Sequence, residues 1–515
     1  MVARPDAIPS GISGQEPCDI VLEGGTIVDG TGGPSHHSDV GIRDGLIVRI
    51  GDLRACHATQ RINASDLVVA PGFVDIHTHA DEEIERIPLA QNYLQQGVTT
   101  MVGGNCGDSI YPVGERLASL EKVGLGVNFA MLVGHSTIRR QVMRMADRAP
   151  TVNELEKMKE LVAGAMGQGA VGISTGLYYA PGSYARTEEV IDLARVAARY
   201  GGIYASHIRD EGDFSIGLVA AVKEVIEVGE KAVIAVHISH LKALGKPVWG
   251  KSTEVLDLLG QARARGVDVS FDQYPYVASE TSLSGAVVPG WARAGGASKL
   301  KERFEVRSTL EKIRSEMALS IEKRGGAEKF FIAKFDPDSS LEGRHLEEIA
   351  KGTGKEPVDA AIDLLLAGGA DVVSFNMSDD DLMRIMQSSM GMVASDGNAV
   401  ELGRGIPHPR YYGTFPRILS RYVREEAVLT LEEAVRKMTS GPAHRVGLLN
   451  RGLIKEGMIA DITVFNPDTI RDLATFERPH QYPVGIDYVI VNGQVAVSEG
   501  KRTGVRQGRV LYGRR

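Results

Sequence analysis

Cysteine is scarce in this sequence, since 515 residues contain only Cys18, Cys56 and Cys106. Such an odd and sparse set cannot form a disulfide framework, and it is typical of a reducing compartment. No apolar run reaches the roughly 18 residues of a membrane span, and the first residues contain no apolar signal core. We therefore expect a cytoplasmic protein that does not cross a membrane.

An excess of positive charge is also missing. The chain has 58 Lys and Arg against 66 Asp and Glu, a formal net charge of −8. A nucleic-acid or anionic-membrane partner calls for a basic face, so we expect neither. The length and the 43% hydrophobic content exclude disorder and small scaffolds. The oligomeric state stays unknown at this stage.

Two β-rich stretches lie at opposite ends of the chain. Residues 18–70 alternate apolar and polar positions between Gly-Gly and Asp-Gly turns, and the same pattern returns towards the C-terminus. Because two such stretches can pair, we predict a small β-sandwich domain built from residues 1–70 and 415–515, with an approximate second boundary.

Between these stretches, short β-branched runs alternate with amphipathic helical patterns. This α/β alternation predicts a parallel sheet, and eight repeats predict a (β/α)8 TIM-like barrel over residues 71–414. An open doubly wound sheet is the alternative. The charged helical stretch at 286–350 is too long for a loop, so we predict an inserted lid beside the active site, with a solvated surface excursion as the other interpretation. The predicted barrel strands are 73–77, 99–103, 127–133, 170–174, 203–207, 233–239, 267–272 and 392–396.

Metal-binding side chains occur at the ends of five predicted strands. The carboxyl ends of barrel strands meet on one face, where barrel enzymes carry their chemistry. His77 and His79 have the i, i+2 spacing that puts two imidazoles on one side of a strand. Histidine, cysteine and one carboxylate together suit zinc. The candidate ligands are His77, His79, Cys106, His207, His240 and Asp396.

A phosphate-loop pattern, Gly245-Lys-Pro-Val-Trp-Gly-Lys-Ser252, has to be weighed against this interpretation. Pro247 removes a backbone donor and Trp249 adds bulk where such a loop would wrap phosphate. The pattern also does not follow its strand directly. We therefore predict a strand-to-helix loop and no nucleotide.

Several longer motifs resemble the N-acyl-D-amino-acid deacylases (D-aminoacylases) of the amidohydrolase superfamily. The first-strand motif Pro71-Gly-Phe-Val-Asp-Ile-His-Thr-His79 and the late motif Gly457-Met-Ile-Ala-Asp-Ile-Thr-Val464 are similar to superfamily signatures. The resemblance runs from about residue 18 to the end. The segments closest to the deacylases are Gly104–Gly107, Val133–His135, Ser174–Gly182, Ser206–Glu211, Ile238–Lys242, Trp249–Ser252, Asp272–Tyr276, Ser395–Gly397 and His408–Arg417.

The resemblance implies a barrel with a small β-domain and zinc-dependent hydrolysis of N-acyl-D-amino acids. It implies one tightly held zinc on Cys106, His207 and His240. It also implies a weaker second position at His77, His79 and Asp396, which Cys106 can bridge. Leu241 departs from relatives that carry another histidine there, which changes the surroundings but not the ligands.

The implied mechanism is attack by metal-bound hydroxide, with Asp396 as general base and then general acid. Tyr179 or His135 would help the metal to stabilise the oxyanion, although both have structural interpretations.

Recognition of a free carboxylate calls for arginine. We predict Arg410 for this role, with Tyr276 assisting. Lys242 and Arg293 are candidates for an acidic side chain or a carboxylate, and the sequence leaves apolar, broad or acidic preference open, with a lean towards apolar or broad.

Two other functions stay open. One is a zinc hydrolase of another amide, carbamoyl or cyclic amide substrate on the same scaffold. Hydantoinases of the superfamily carry a carboxylated lysine at the fourth strand end, and Ile173-Ser-Thr-Gly-Leu177 has none. The other is a non-catalytic barrel, which would be expected to lose metal ligands.

Overall fold

The computed structural model describes residues 17–513. The first part of the predicted domain at 1–70, including the residues on which the prediction about secretion depends, lies outside the described residues. Among the described residues, no helix combines the length and apolar character that a membrane span requires. In chain order the strands are β1 (Cys18–Ile27), β2 (His36–Arg43), β3 (Leu46–Gly51), β4 (Ala58–Asn63), β5 (Val68–Pro71), β6 (Phe73–Asp75), β7 (Val98–Gly103), β8 (Asn128–Met131), β9 (Val133–Gly134), β10 (Gly172–Gly176), β11 (Ile203–His207), β12 (Val236–Ile238), β13 (Val269–Gln273), β14 (Ser279–Ser282), β15 (Phe330–Lys334), β16 (Asp371–Ser374), β17 (Gly391–Val393), β18 (Ile462–Phe465), β19 (Ile486–Val491), β20 (Gln494–Ser498) and β21 (Lys501–Arg502).

The helices alternate with the central strands, as the amphipathic patterns predict. Thr151 and Glu154 form a reciprocal capping box at the start of the helix Val152–Gly167. The α-helices are α1 (Glu83–Arg86), α2 (Gln91–Leu94), α3 (Val113–Val123), α4 (His135–Met143), α5 (Val152–Gly167), α6 (Thr187–Ala198), α7 (Leu218–Ala232), α8 (Ser252–Ala264), α9 (Leu283–Val287), α10 (Gly290–Arg293), α11 (Gly296–Glu305), α12 (Arg307–Lys323), α13 (Leu346–Thr353), α14 (Pro357–Ala367), α15 (Asp379–Gln387), α16 (Arg410–Arg417), α17 (Leu431–Met438) and α18 (Ser440–Arg445), and a π-helix covers Ile418–Glu425.

The central strands form the predicted barrel. β6, β7 and β8 are parallel neighbours, and β9 to β13 continue in order to β17. β8 and β9 are one strand position interrupted at Leu132, so eight positions follow one another. The backbone closes the ring, because Asp396 N donates to His77 O at 3.0 Å and His79 N donates to Gly397 O at 2.8 Å. An open doubly wound sheet is therefore excluded.

Strands from both ends of the chain form one sheet. β18 pairs with β5, and β1 pairs with β2, β4 and β5, so the sheet branches at β1. These strands surround a core of their own that includes Ile20, Ile62 and Ile462. α17 and α18 instead pack against β6 and β17 of the barrel. The C-terminal strands of the small sheet thus begin at β18, well after the approximate boundary at 415.

The insert between β13 and β17 is larger than the segment 286–350. β14, β16 and β15 form an antiparallel sheet, and the helices α9 to α14 share a separate apolar core with it. β16 lies shortly before the last barrel strand in the sequence, but it belongs to this insert sheet.

Candidate metal centre and active site

The six predicted metal ligands converge at the carboxyl end of the barrel. Cys106 Sγ lies 3.3 Å from His77 Nε2 and 3.5 Å from His240 Nε2. Asp396 Oδ1 lies 3.0 Å from His79 Nε2 and 3.4 Å from His77 Nε2. Three overlapping triads bring their ligand atoms within 4.8 Å of one another: His77 with His79 and Cys106, Cys106 with His207 and His240, and His77 with His240 and Asp396.

Cys106 reaches the centre from a tight turn after β7. Its φ is +53°, and a Cβ on the neighbouring Gly104 would lie 2.1 Å from Leu132 O, so only glycine fits there. Burial alone would raise the pKa of the Cys106 thiol, but His77 and His240 outweigh burial and lower it well below its usual value. The structure therefore favours a thiolate, which is the form that binds metals.

The unsatisfied chemistry of this cluster fits a metal ion. His207 Nε2 is buried and has no hydrogen-bond partner. A buried imidazole nitrogen without a partner is costly in a folded protein, and it faces the Cys106 thiol and the His240 ring. A zinc ion would satisfy this nitrogen and balance the thiolate.

Buried carboxylates orient the histidine rings from behind. Asp272 Oδ2 accepts from His77 Nδ1 at 3.2 Å and from His237 Nε2 at 2.9 Å. Glu211 Oε1 lies 2.9 Å from His240 Nδ1. Carboxylates placed in this way fix the tautomer of metal-binding histidines. Asp272 and Glu211 both occur in motifs singled out in the sequence, but only the fold shows which histidines they contact.

Asp396 lies between the histidine cluster and Arg410. Its Oδ2 is 2.9 Å from Arg410 Nη1. Burial would raise the pKa of Asp396, but Arg410, His240 and His77 lower it well below its usual value. Asp396 is therefore ionised and able to accept a proton from a nearby water.

A cavity of about 370 Å³ opens beside the cluster. It brings together predicted residues from the barrel with residues of the insert, so the insert does lie beside this site. Of the predicted residues outside the ligand set, Tyr179, Lys242 and Arg410 line the cavity. Its other lining residues include Asn105, Asp108, Tyr178, Glu211, Leu244, Tyr274, Ser279, Glu280, Thr281, Ser282, Arg324, Asp371 and Tyr411.

Tyr179 and Lys242 already have partners in the cavity wall. The Tyr179 hydroxyl shares a hydrogen bond of 2.9 Å with the Thr281 hydroxyl of the insert. Burial raises the pKa of Tyr179, which keeps it a neutral hydrogen-bond donor. Lys242 forms a buried ion pair with Glu211.

Three predicted residues lie away from the cavity. His135 is fully buried at the start of α4, and its Nε2 contacts Glu189 Oε1 at 2.9 Å, so the structure does not support an oxyanion contact. Tyr276 is buried, and the Arg417 guanidinium lies 4.7 Å from the centre of the Tyr276 ring. Arg293 instead faces Tyr178, with its guanidinium 5.6 Å from the ring.

Tyr274 is a cavity residue that the sequence analysis did not single out. It lines the cavity, its hydroxyl is buried without a partner, and Arg410 stacks 4.7 Å above its ring. The strand ends at Gln273, and Pro275 bends the chain, so Tyr274 and Tyr276 do not share a face as strand residues would.

The loop at residues 245–252, which carries the phosphate-loop pattern, binds a carboxylate of the protein itself. Gly250 N donates to Asp381 Oδ2 at 2.8 Å, and the Ser252 hydroxyl bonds the same carboxylate. An internal carboxylate thus takes the position where a phosphate would have to bind.

Comparisons with known proteins identify the family of this chain. The amidohydrolase family profile matches residues 60–497. D-aminoacylase of Alcaligenes xylosoxydans xylosoxydans is 38% identical, over 97% of this chain and 98% of that protein. N-acyl-D-glutamate deacylase of the same organism is also 38% identical, over 96% and 97%. The zinc and phosphonate complex of N-acyl-D-glutamate deacylase from Bordetella bronchiseptica has a TM-score of 0.82 and 36% identity, and the match covers 96% of this chain and 100% of that one.

The fold and the histidine–cysteine centre define a metal-dependent hydrolase of the barrel class. The chain belongs to the amidohydrolase family, and the barrel with a small β-domain predicted from its sequence is confirmed.

Proposed function

We propose that the chain is a zinc-dependent N-acyl-D-amino-acid deacylase. It hydrolyses the amide bond to release a carboxylate and a free D-amino acid. One observation carries the proposal: the Cys106 and His207 metal centre opens into the same cavity as Arg410 and the unpartnered Tyr274 hydroxyl. A hydrolytic centre thus adjoins a receptor for a carboxylate. The similar D-aminoacylase and N-acyl-D-glutamate deacylase support the substrate class.

The metal would be held at two unequal positions. Cys106, His207 and His240 are all buried and would hold the tight zinc. His77, His79 and Asp396 would form the weaker position, where the half-exposed His79 makes a second ion easier to lose. A bound zinc activates water and polarises a carbonyl at neutral pH.

Asp396 moves the proton in this proposal. As a buried, ionised carboxylate beside the ligand cluster, it accepts a proton from the attacking water and donates it to the leaving nitrogen. Tyr179 donates a hydrogen bond to the developing oxyanion, because its ring lies 4.9 Å from that of His207. This step exchanges the Thr281 bond for one to the substrate.

Arg410 holds the substrate α-carboxylate. Its guanidinium is buried, and the neighbouring Tyr274 hydroxyl is free to donate a second hydrogen bond. Lys242 adds positive charge to the same wall, although Glu211 already neutralises it. Charge-assisted bonds of this kind are the strong ones, so substrates lacking the carboxylate should bind poorly.

The first experiment compares matched enantiomers. Amine release is measured from N-acetyl-D- and N-acetyl-L-methionine, -leucine and -phenylalanine, before and after chelation. We expect chelator-sensitive hydrolysis of the D series, restored by zinc. Zinc bound without turnover of either series would contradict the proposed substrate and favour another amide, carbamoyl or cyclic amide.

A second measurement tests the thiolate ligand. Cys106→Ala should lose both the tight zinc and activity, whereas Cys18→Ala, a buried cysteine in the small sheet, should keep both. A thiolate ligand also persists best in a reducing compartment, which supports the cytoplasmic location proposed from the sequence.

A further inference from the structure

The positive charges around the substrate cavity are already matched by protein groups. Lys242 is paired with Glu211, and Arg410 lies 2.9 Å from Asp396 and 3.8 Å from Glu280. When a substrate α-carboxylate binds Arg410, the other guanidinium that lines this cavity among the described residues is that of Arg324.

Arg324 forms no ion pair within the described part of the chain, but protein oxygens already engage its donors. Its Nε donates to the Ala286 carbonyl and its Nη2 donates to the Tyr178 hydroxyl, each at 3.0 Å. Arg324 is only 3% exposed, so these hydrogen bonds hold its guanidinium in the wall of the insert. Arg293, the sequence-based candidate for binding an acidic side chain, does not line the cavity.

Two carboxylates of the insert face the same cavity. Glu280 on β14 has an Oε2 atom that is buried without a hydrogen-bond partner. Asp371 begins β16 opposite Ser282, two residues along β14 from Glu280, and it forms no ion pair within the described part of the chain. The insert therefore contributes two carboxylates to the cavity wall against the one guanidinium of Arg324.

The position of Glu280 determines which part of the substrate it meets. Its carboxylate lies beside Arg410, which holds the α-carboxylate in the proposed function. The side chain of an amino acid branches from the carbon that bears this carboxylate, so it emerges next to Glu280. The acyl group lies on the opposite side, towards the metal ligands.

We infer that the enzyme selects N-acyl-D-amino acids with neutral or cationic side chains over acidic ones, and that Glu280 determines this specificity. This inference rests on the proposed function. An acidic side chain would add a further negative charge beside Glu280 and Asp371, and like charges placed close together are unfavourable. A cationic side chain would instead give Glu280 Oε2 a hydrogen-bond donor, which Arg410 at 3.8 Å is too distant to provide.

The wild-type test uses substrates that differ in charge alone. N-acetyl-D-glutamine and N-acetyl-D-glutamate have nearly the same shape, so the ratio of their kcat/KM values reports the side-chain charge. We expect glutamine to exceed glutamate by about tenfold or more, the size of one like-charge contact in a partly screened site. N-acetyl-D-lysine should equal or exceed glutamine. The assays are run at pH 8, because burial raises the pKa of Glu280 and Asp371 and a higher pH favours their ionised forms.

Glu280→Gln tests the residue itself. It should lower the glutamine-to-glutamate ratio about tenfold, mainly by improving glutamate. Salt should lower the wild-type ratio and leave that of the variant nearly constant, because salt screens charge repulsion. Asp371→Asn should also lower the glutamine-to-glutamate ratio, but by a smaller factor. This second variant tests the inference if Glu280→Gln fails to fold. Glu401→Gln, an exposed carboxylate paired with Arg86 outside this cavity, is the matched control.

Each contrary result has a separate meaning. A purely structural Glu280 would make Glu280→Gln raise KM for both substrates through Arg410 and leave their ratio unchanged, which overturns the inference. Wild-type hydrolysis of glutamate as fast as glutamine also overturns it, while the proposed deacylase function stands. Failure to hydrolyse any D substrate would instead overturn the proposed function.

Discussion

At the scale of single residues, Asp396 joins the metal centre to the substrate cavity. Replacing it with Asn keeps the shape but removes the base, while Cys106, His207 and His240 remain to hold the tight zinc. We expect one equivalent of zinc and a kcat lowered about 10²- to 10⁴-fold. Metal analysis and steady-state kinetics measure both. Asp257→Asn on the exposed face of α8 is the control, and wild-type turnover in Asp396→Asn would remove the proposed base.

Tyr274 and Tyr276 form a natural matched pair. Tyr274→Phe deletes the unpartnered hydroxyl beside Arg410, so we expect KM to rise about 10- to 100-fold, since one hydrogen bond to a charged group contributes about 1.5–3 kcal/mol. Tyr276→Phe should leave KM unchanged, because its hydroxyl donates to the Pro409 carbonyl, at 3.5 Å, and does not line the cavity. Steady-state kinetics on one N-acetyl-D-amino acid separate the two. Equal effects would contradict the assigned positions.

These two tyrosines also show how far single residues can be predicted from the sequence. The metal-ligand candidates could be found because each follows a recognisable strand, and barrel strands end at one face. Tyr276 could not be placed, because Pro275 breaks the alternation on which the argument depends. The position of His135 could not be predicted either, since it begins a helix and its imidazole contacts Glu189.

At the scale of elements, α17 buries a lysine beneath the barrel. Lys437 Nζ donates to the Gly391 carbonyl at the start of β17 at 3.1 Å. Burial lowers the pKa of Lys437 from 10.5 to about 8. Between these values the unfolded chain binds more protons than the folded one, so this lysine makes the free energy of unfolding rise with pH.

Lys437→Met should remove that dependence. We expect the stability of the wild type relative to the variant to increase by about 1–3 kcal/mol from pH 7.5 to pH 10.5. Thermal unfolding of both proteins at the two pH values measures it, and the difference between them cancels groups that they share. A constant difference would show that Lys437 titrates normally.

The insert is the element whose extent the sequence underestimates. Its charged helices are visible at 286–350, but its sheet is not. β14 and β16 pair across almost the whole insert, and such distant pairing leaves no periodic signal in either strand. The segment before 286 therefore looks like a continuation of the barrel, although it supplies Glu280 and Thr281 to the cavity.

At the scale of the whole molecule, Asp461 connects the barrel to the small sheet. It accepts from Asn128 Nδ2 of β8 at 3.0 Å and from Asn492 N at 2.7 Å, and it pairs with the buried Arg451. Asp461→Ala would leave Arg451 buried and unpaired, at a cost of about 3–5 kcal/mol. We expect a lower Tm with kcat preserved in the folded protein. Exposed Glu477→Ala is the control, and an unchanged Tm would show that the network is not stabilising.

The branched sheet also has a consequence for how the protein is made. β5 is synthesised long before its neighbour β18, because most of the barrel lies between them in the sequence. Asp396 likewise emerges long after His77 and His79. During translation the edge of β5 stays unpaired until β18 has been synthesised. The metal centre likewise stays incomplete until Asp396 has been added. Shortening the chain before β18 would make that edge permanent, so shortened versions should aggregate although every catalytic residue is present.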